Sequence, residues 1–304
     1  MTKARDIKTS NIGLVIMRHG ATVEVLAADG AMITCHQRKS KNAAIAGDHV
    51  EWQEGTDEQG IITKRLARKN VLAQRKNIKV VKEIAANLDQ IVIAFTVKPH
   101  YDQFLIDRYI AIAEQQGITP VLLVTKLDLI TNDISENIEQ LMAVYRDVGY
   151  HVISSSQKNQ TGLDIVQDIL KDKTSVLVGQ SGVGKSSIAT AILPGITIAT
   201  GELTARGDQG SHTTSTTMLY ALPMGGYLVD SPGVRDFSMW DLAADELANC
   251  YIEFKQHTDE CKFHNCRHLN EPICGVKSAI DRKEVSQLRY NSYVATYEAL
   301  STDQ

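Results

Sequence analysis

The sequence has no long hydrophobic run. Its longest apolar stretches, such as Ile91 to Phe95 and Val121 to Val124, fall far short of the roughly 18 residues that a membrane-spanning helix needs. The opening stretch MTKARDIKTSNIGLVIM also lacks the apolar segment and small-residue cleavage site of a signal peptide, so a cytoplasmic protein without membrane association is expected. With 43% hydrophobic and 22% charged residues, 20 glycines and only 6 prolines, collagen, a long coiled coil and a largely disordered chain are excluded. Cysteine is sparse as well: the 5 present are an odd number and most fall late, which argues against a disulfide framework and makes a metal site the better question. What remains is an ordinary globular chain of 304 residues, enough for two or three domains at about 150 residues each.

The net charge of −4 hides an asymmetry: residues 1–86 carry 15 basic and 9 acidic side chains, leaving the remainder strongly acidic. From Ile61 to Lys82, eight bases (Lys64, Arg65, Arg68, Lys69, Arg75, Lys76, Lys79 and Lys82) occur without one Asp or Glu. Such a stripe suits a nucleic-acid backbone, although a solvated charged face has the same composition.

Between residues 11 and 72 short alternating segments (GLVIM, TVEVLA, AMITCH, GDHVEW and GIITKRL) predict five strands and a small barrel of the oligonucleotide-binding (OB) type. From about residue 85 apolar strands alternate with helical stretches, DQFLIDRYIAIAEQQ closed by Gly117 and SENIEQLMAVYRD closed by Gly149, with further strands at YHVIS, TSVLVG and GYLVD. This predicts a mostly parallel sheet with helices on both faces, whose ligands bind at the carboxyl ends of the strands. After about residue 241 a Cys/His-rich segment and a polar helix from Lys283 to Leu300 follow. The expected division is 1–75, 76–240 and 241–304.

Several motifs carry chemistry. The loop Gly179-Gln180-Ser181-Gly182-Val183-Gly184-Lys185-Ser186-Ser187 has the G-x-x-x-x-G-K-S spacing of a phosphate loop between a strand and a helix. Its backbone N–H groups would face phosphate oxygens, Lys185 the β/γ-phosphates, and Ser186 a Mg²⁺ ion. Asp230-Ser231-Pro232-Gly233 follows a strand; Asp230 suits Mg²⁺ through water, and the Gly233 N–H suits a γ-phosphate. Between them the hydroxyl-rich stretch RGDQGSHTTSTT offers Thr213 or Thr214 to complete the Mg²⁺ shell as a switch. Thr125-Lys126-Leu127-Asp128 resembles the guanine-recognition motif, in which the Asp accepts from two guanine N–H donors, and Ser154-Ser155-Ser156 resembles the loop that buttresses the base. Adenine lacks that pair of donors, so GTP and GDP are the expected nucleotides, against a phosphate-loop ATPase or kinase.

The remaining motif is Cys261-x4-Cys266-x-His268-x5-Cys274, three thiolates and an imidazole suited to one tetrahedral, structural Zn²⁺. His264 and Cys250 are less well-spaced substitutes, and Cys35 reads as a core residue.

The motif order is abnormal, because TKLD and SSS precede the phosphate loop and DSPG, as in a circularly permuted GTPase. Together with GDHV-x-W, ARKNVLAQR, NLDQIVIAF and GSHTTS, these motifs resemble the bacterial RsgA (YjeQ-like) family of small-ribosomal-subunit-dependent GTPases over nearly the whole chain. The resemblance implies a monomeric late assembly factor that contacts the subunit's ribosomal RNA and leaves after subunit-stimulated GTP hydrolysis. It also implies catalysis by Lys185, Gly233 and the switch histidine His212, since Val234 stands where other GTPases carry a glutamine. The alternative is an RNA-binding module locked by GTP, with hydrolysis incidental.

Overall fold

A computed structural model describes residues 11–38, 43–55, 59–77, 80–156, 158–159, 161–193, 196–199, 202–205, 217–231 and 242–302. Five strands come first: β1 (Asn11–His19), β2 (Thr22–Ala27), β3 (Met32–His36), β4 (His49–Glu54) and β5 (Gly60–Arg65). They close on themselves, because β1 pairs with both β2 and β4, β3 with β5, and β5 with β4. Alternation puts Val23 and Val25 inside with Val15, Cys35, Val50 and Trp52, while the intervening residues face outward. Gly60 is required there, since a Cβ would run into the Cys35 sulfur. Cys35 is thus the core residue expected.

A hairpin of β6 (Val71–Asn77) and β7 (Val80–Ala86) follows, its Leu72 and Ile84 buried in the main core. The Arg68 guanidinium ties barrel to hairpin, donating to both Asp48 oxygens at 2.6 and 2.8 Å and to Glu83 at 2.9 Å.

The rest of the core is an α/β layer. Its strands are β8 (Gln90–Phe95), β9 (Thr119–Val124), β10 (His151–Ser154), β11 (Lys173–Val178), the antiparallel β14 (Met218–Ala221) and β15 (Gly226–Asp230), with the separate hairpin β12 (Ile196–Ala199) and β13 (Glu202–Ala205) lying between β11 and β14 in sequence. The order is β10-β9-β8-β11-β15-β14, and the first five strands run parallel. Single-residue alternation feeds two cores. Ile91 and Ile93 face α1 (Gln103–Gln116) and α2 (Asn132–Val148), whereas Val92 faces α3 (Leu163–Leu170) and α4 (Lys185–Ile192). Each such fully buried side chain stabilises the fold by about 1.5–3 kcal/mol. Asp102 caps α1 by accepting from the Leu105 N–H, and Gly117 and Gly149 end α1 and α2 in the left-handed conformation. The barrel joins this sheet where Met17 of β1 pairs with Met218 of β14.

Residues 242–302 form no strand. They comprise 3₁₀ segments at Leu247–Cys250 and Ile252–Glu260, then α5 (Gly275–Asp281) and α6 (Gln287–Thr302), around a core of Leu247, Tyr251, Phe254, Val276 and Tyr293. Helix α6 begins four residues later than its polar pattern suggested, because Lys283 has φ +63° and cannot continue a right-handed helix. Arg289 of α6, fully buried, binds Asp107 of α1 at 2.5 Å and Glu253 at 2.7 Å, and its guanidinium lies 4.5 Å from the Tyr251 ring centroid. This buried charge cluster is the central contact between the C-terminal segment and the sheet's helices.

Candidate functional site

Because β8, β9, β10, β11 and β15 are parallel, their carboxyl ends share one edge, where the TKLD segment follows β9, the three serines close β10, the glycine-rich loop follows β11 and Asp230 ends β15. The phosphate loop leaves β11 beside β8. Gly179, at φ +135°, passes so close to β8 that a Cβ would strike the Ala94 carbonyl oxygen. Gly182 and Gly184 also have positive φ, at +79° and +100°, so the backbone curls before α4 starts at Lys185. Lys185 Nζ donates to the carbonyl oxygens of Gly179 and Gln180, both at 2.6 Å, which holds the ammonium over the curl. Val183 is buried as the loop's anchor, while Ser181, Gly182, Ser186 and Ser187 lie exposed around the mouth.

The TKLD segment is bonded to this loop. Buried Thr125 donates from Oγ1 to the Val183 carbonyl at 2.5 Å, and Lys126, at φ +55°, donates from Nζ to the Gly182 carbonyl at 2.6 Å and to Lys98 O at 3.3 Å. Leu127 packs at the rim of the main core. Asp128 keeps its carboxylate at the surface, where the Ser156 hydroxyl donates to Oδ1 at 2.6 Å and holds the acid below the usual carboxylate range. Ser154 ends β10 half-buried, and Ser155 is buried with its N–H on Val124 O at 2.8 Å. Of the three serines, Ser156 is therefore the one that touches the Asp128 carboxylate; its neighbours place the loop. An Asp-to-Ser contact across 28 positions leaves no periodic signal in the sequence.

Asp230 ends β15, half-buried. Burial and then the charge of Asp230 push the Tyr220 phenol up to about 12. Beside it the Thr217 hydroxyl donates to Ser231 Oγ at 2.9 Å. Ser186 and Asp230 supply hydroxyl and carboxylate oxygens, the donor chemistry of a hard cation such as Mg²⁺. His212, Thr213, Thr214 and Gly233 lie outside the described residues.

In the C-terminal segment the ligand atoms of Cys261, Cys266, His268 and Cys274 lie within 4.8 Å of one another. His268 Nδ1 faces both Cys261 Sγ at 3.6 Å and Cys274 Sγ at 3.4 Å, and the Gly275 N–H donates to Cys261 Sγ at 3.2 Å. Three sulfurs and one nitrogen fit tetrahedral Zn²⁺. Burial lowers the His268 pKa, in the direction of the neutral imidazole a metal ligand needs, and pushes the Cys266 thiol up to about 12, a cost that a bound cation reverses by stabilising thiolate. Tyr290 and Tyr293 clamp the knuckle by donating to the carbonyls of His268 at 2.8 Å and Arg267 at 2.5 Å. Cys250 stays in the hydrophobic core and His264 faces solvent, so neither joins the cluster.

A model of the RsgA GTPase family matches residues 65–240. A small ribosomal subunit biogenesis GTPase RsgA from Chromohalobacter salexigens is 39% identical over 98% of this chain and 89% of its own length. One from Pseudomonas aeruginosa is also 39% identical, over 95% of this chain and 85% of its own. Among solved structures, YjeQ from Thermotoga maritima superposes with a TM-score of 0.80 at 32% identity, covering 96% of this chain and 99% of that one. YloQ, a circularly permuted GTPase, gives 0.79 at 28% identity, covering 100% and 99%. With the TKLD segment, the glycine-rich loop and Asp230 gathered at one sheet edge in permuted order, the chain belongs to the RsgA family of circularly permuted GTPases.

Proposed function

We propose that this protein is a cytoplasmic GTPase that acts late in assembly of the small ribosomal subunit, binding the subunit and its ribosomal RNA with GTP and leaving after hydrolysis. One observation carries the guanine-nucleotide reading: Lys126 and Thr125 of the base-reading loop are bonded to Gly182 and Val183 of the phosphate loop, while Ser156 fixes the Asp128 carboxylate. One rigid unit thereby addresses both ends of a nucleotide. The relatives' shared name supports the biological setting.

In the reaction a water oxygen bonds to the γ-phosphorus, the bond from that phosphorus to the β–γ bridging oxygen breaks, and GDP and inorganic phosphate result. Lys185 and the loop N–H groups offset charge gathering on the phosphates, Gly233 offers its N–H to the γ-phosphate, and His212 orients the water that Val234 cannot. Ser186, Thr213 or Thr214, and Asp230 would hold Mg²⁺, which supplies further charge neutralisation when bound. Cys261, Cys266, His268 and Cys274 would hold one Zn²⁺ with no open position, a structural role. The functional division is 1–75 for RNA contact, 76–240 for nucleotide and 241–304 for zinc, in a monomer.

The test is GTP turnover, with ATP as control, with and without purified small ribosomal subunits. Stimulation by subunits and not by free RNA is the expected result; GTP binding without stimulation would replace the enzyme by a GTP-locked RNA-binding module.

A further inference from the structure

Strand β15 ends at Asp230, the first residue of the DSPG motif, and its two neighbours release it at different points. Its pairing with β11 ends at Val229, whereas its pairing with β14 continues to Asp230, which stands opposite Met218. Met218 is also paired with Met17 of β1, so this end of β14 is fixed from its far side as well. One step further out in the same register Thr217 meets Ser231, beyond both strands, and there the side chains carry the pairing on: the Thr217 hydroxyl donates to Ser231 Oγ at 2.9 Å. Ser231 is only 2% exposed, so water competes poorly for that bond.

The two faces of the strand end differ. Alternation sends Leu228 and Asp230 to the side of α4, where Leu228 packs with Tyr220, Ile188 and Ile192. Burial and then the charge of Asp230 raise the Tyr220 pKa, which agrees with a carboxylate on that side. Helix α4 starts at Lys185, so Asp230 and Ser186 belong to the same side of the sheet. Val229 and Ser231 take the opposite side, where Val229 joins the core of Leu219, Ile91 and Ile93. The Thr217–Ser231 bond thus lies behind the strand end whose front carries Asp230.

We propose that Thr217 and Ser231 are positioning residues for GTP hydrolysis, their bond fixing the rotation of the strand end and with it the aim of the Asp230 carboxylate towards Mg²⁺. This role presupposes Asp230 as a Mg²⁺ group of a GTP-hydrolysing site. In sequence, Thr217 also closes the stretch that carries His212, Thr213 and Thr214, so the bond ties together the ends of two segments expected to serve the γ-phosphate and its cation. The TKLD segment and the phosphate loop are bonded to each other without it, through Thr125 and Lys126, so affinity for the nucleotide itself should not depend on it.

The experiment measures binding of a fluorescent, non-hydrolysable GTP analogue to the full chain as Mg²⁺ is titrated in, beside single-turnover GTP hydrolysis with excess small ribosomal subunits. Thr217→Val, which keeps the side chain's shape and removes the hydroxyl, should raise the half-saturating Mg²⁺ concentration and slow hydrolysis, each by about three- to fivefold, and leave affinity without Mg²⁺ unchanged. Ser231→Ala should do the same, and Thr217→Ser, which keeps the hydroxyl, should behave as wild type. In an Asp230→Asn background Thr217→Val should add nothing, because the group it aims is already altered. An unchanged Mg²⁺ requirement in Thr217→Val, an equal loss of affinity with and without Mg²⁺, or an undiminished effect in the Asp230→Asn background would overturn the positioning role. A wild-type chain that binds the analogue but does not hydrolyse GTP would remove the GTPase reading along with it.

Discussion

Arg289→Met removes the cation from a cluster that is nearly closed to water. Arg289 and Asp107 are both at 0% side-chain exposure and Glu253 is at 8%, so the substitution strands two carboxylates. Burial opposes the guanidinium charge, yet Asp107 and Glu253 outweigh it and raise the pKa of Arg289. In the variant each carboxylate has the option of taking up a proton. From an ordinary pKa near 4, doing so at pH 7 costs about 4 kcal/mol, which caps the penalty for each acid. Glu253 lies next to solvent and Asp107 keeps the Tyr145 hydroxyl at 2.8 Å, so the total expected is about 3–5 kcal/mol rather than twice the cap. The loss also has a pH signature. A stranded carboxyl has a folded pKa above its unfolded one, so the folded variant binds more protons, and its stability falls as pH rises through that folded value. The deficit against wild type should therefore shrink by up to about 1.4 kcal/mol per pH unit between pH 7 and 5. Urea unfolding across that range, with Zn²⁺ constant, measures it, and adding Asp107→Asn and Glu253→Gln should restore most of the loss. A deficit below about 1 kcal/mol, or one independent of pH, would refute the reasoning.

Asp128→Asn should lower GTP affinity by about 10–100-fold, since a charged acceptor is lost. Ser156→Ala should raise the Asp128 pKa, so that GTP binding starts to fall at a higher pH on acidification; equilibrium binding against pH checks both, and an unshifted profile counts against Ser156 as the residue that holds the acid down. Gly179→Ala should abolish nucleotide binding, because its Cβ meets the Ala94 carbonyl and its φ disfavours any side chain; nucleotide titration beside a melting curve separates a lost loop from a lost fold. One Zn²⁺ per chain is expected by elemental analysis, with Cys274→Ser or chelation removing it and exposing α5 and the knuckle to hydrogen exchange; retention of a full equivalent by that variant would exclude Cys274 as a ligand.

The nucleotide edge was legible because its parts are local: an apolar strand running into a glycine-rich loop names both the element and its exposed end. The barrel was legible for a similar reason, since Val23 and Val25 alternate with polar residues as a half-buried strand must. The zinc ligands fall within one short stretch. What escaped were contacts across long separations and elements with misleading composition. The hairpin β6–β7 lies in a base-rich stretch that reads as surface, although Leu72 and Ile84 anchor it in the core. Helix α6 looks polar, yet Arg289, Ser292 and Thr296 lie on its buried side with Tyr293, and the charge of Arg289 is met by Asp107, 182 positions away. Strand β14 is short and antiparallel, and without its pairing to β15 its four residues carry too little pattern to stand out.

The junction of Met17 with Met218 has a meaning for solubility. An α/β sheet that stops at β14 would leave that strand's outer N–H and C=O groups as a template for another chain. Here β1 occupies that border, and β1 in turn belongs to a closed ring of strands, so the sheet's flank is sealed by a barrel that exposes no flank of its own. Excising the first five strands would thus unmask an adhesive border on the nucleotide-binding layer, and the shortened protein should self-associate even with its GTP motifs intact.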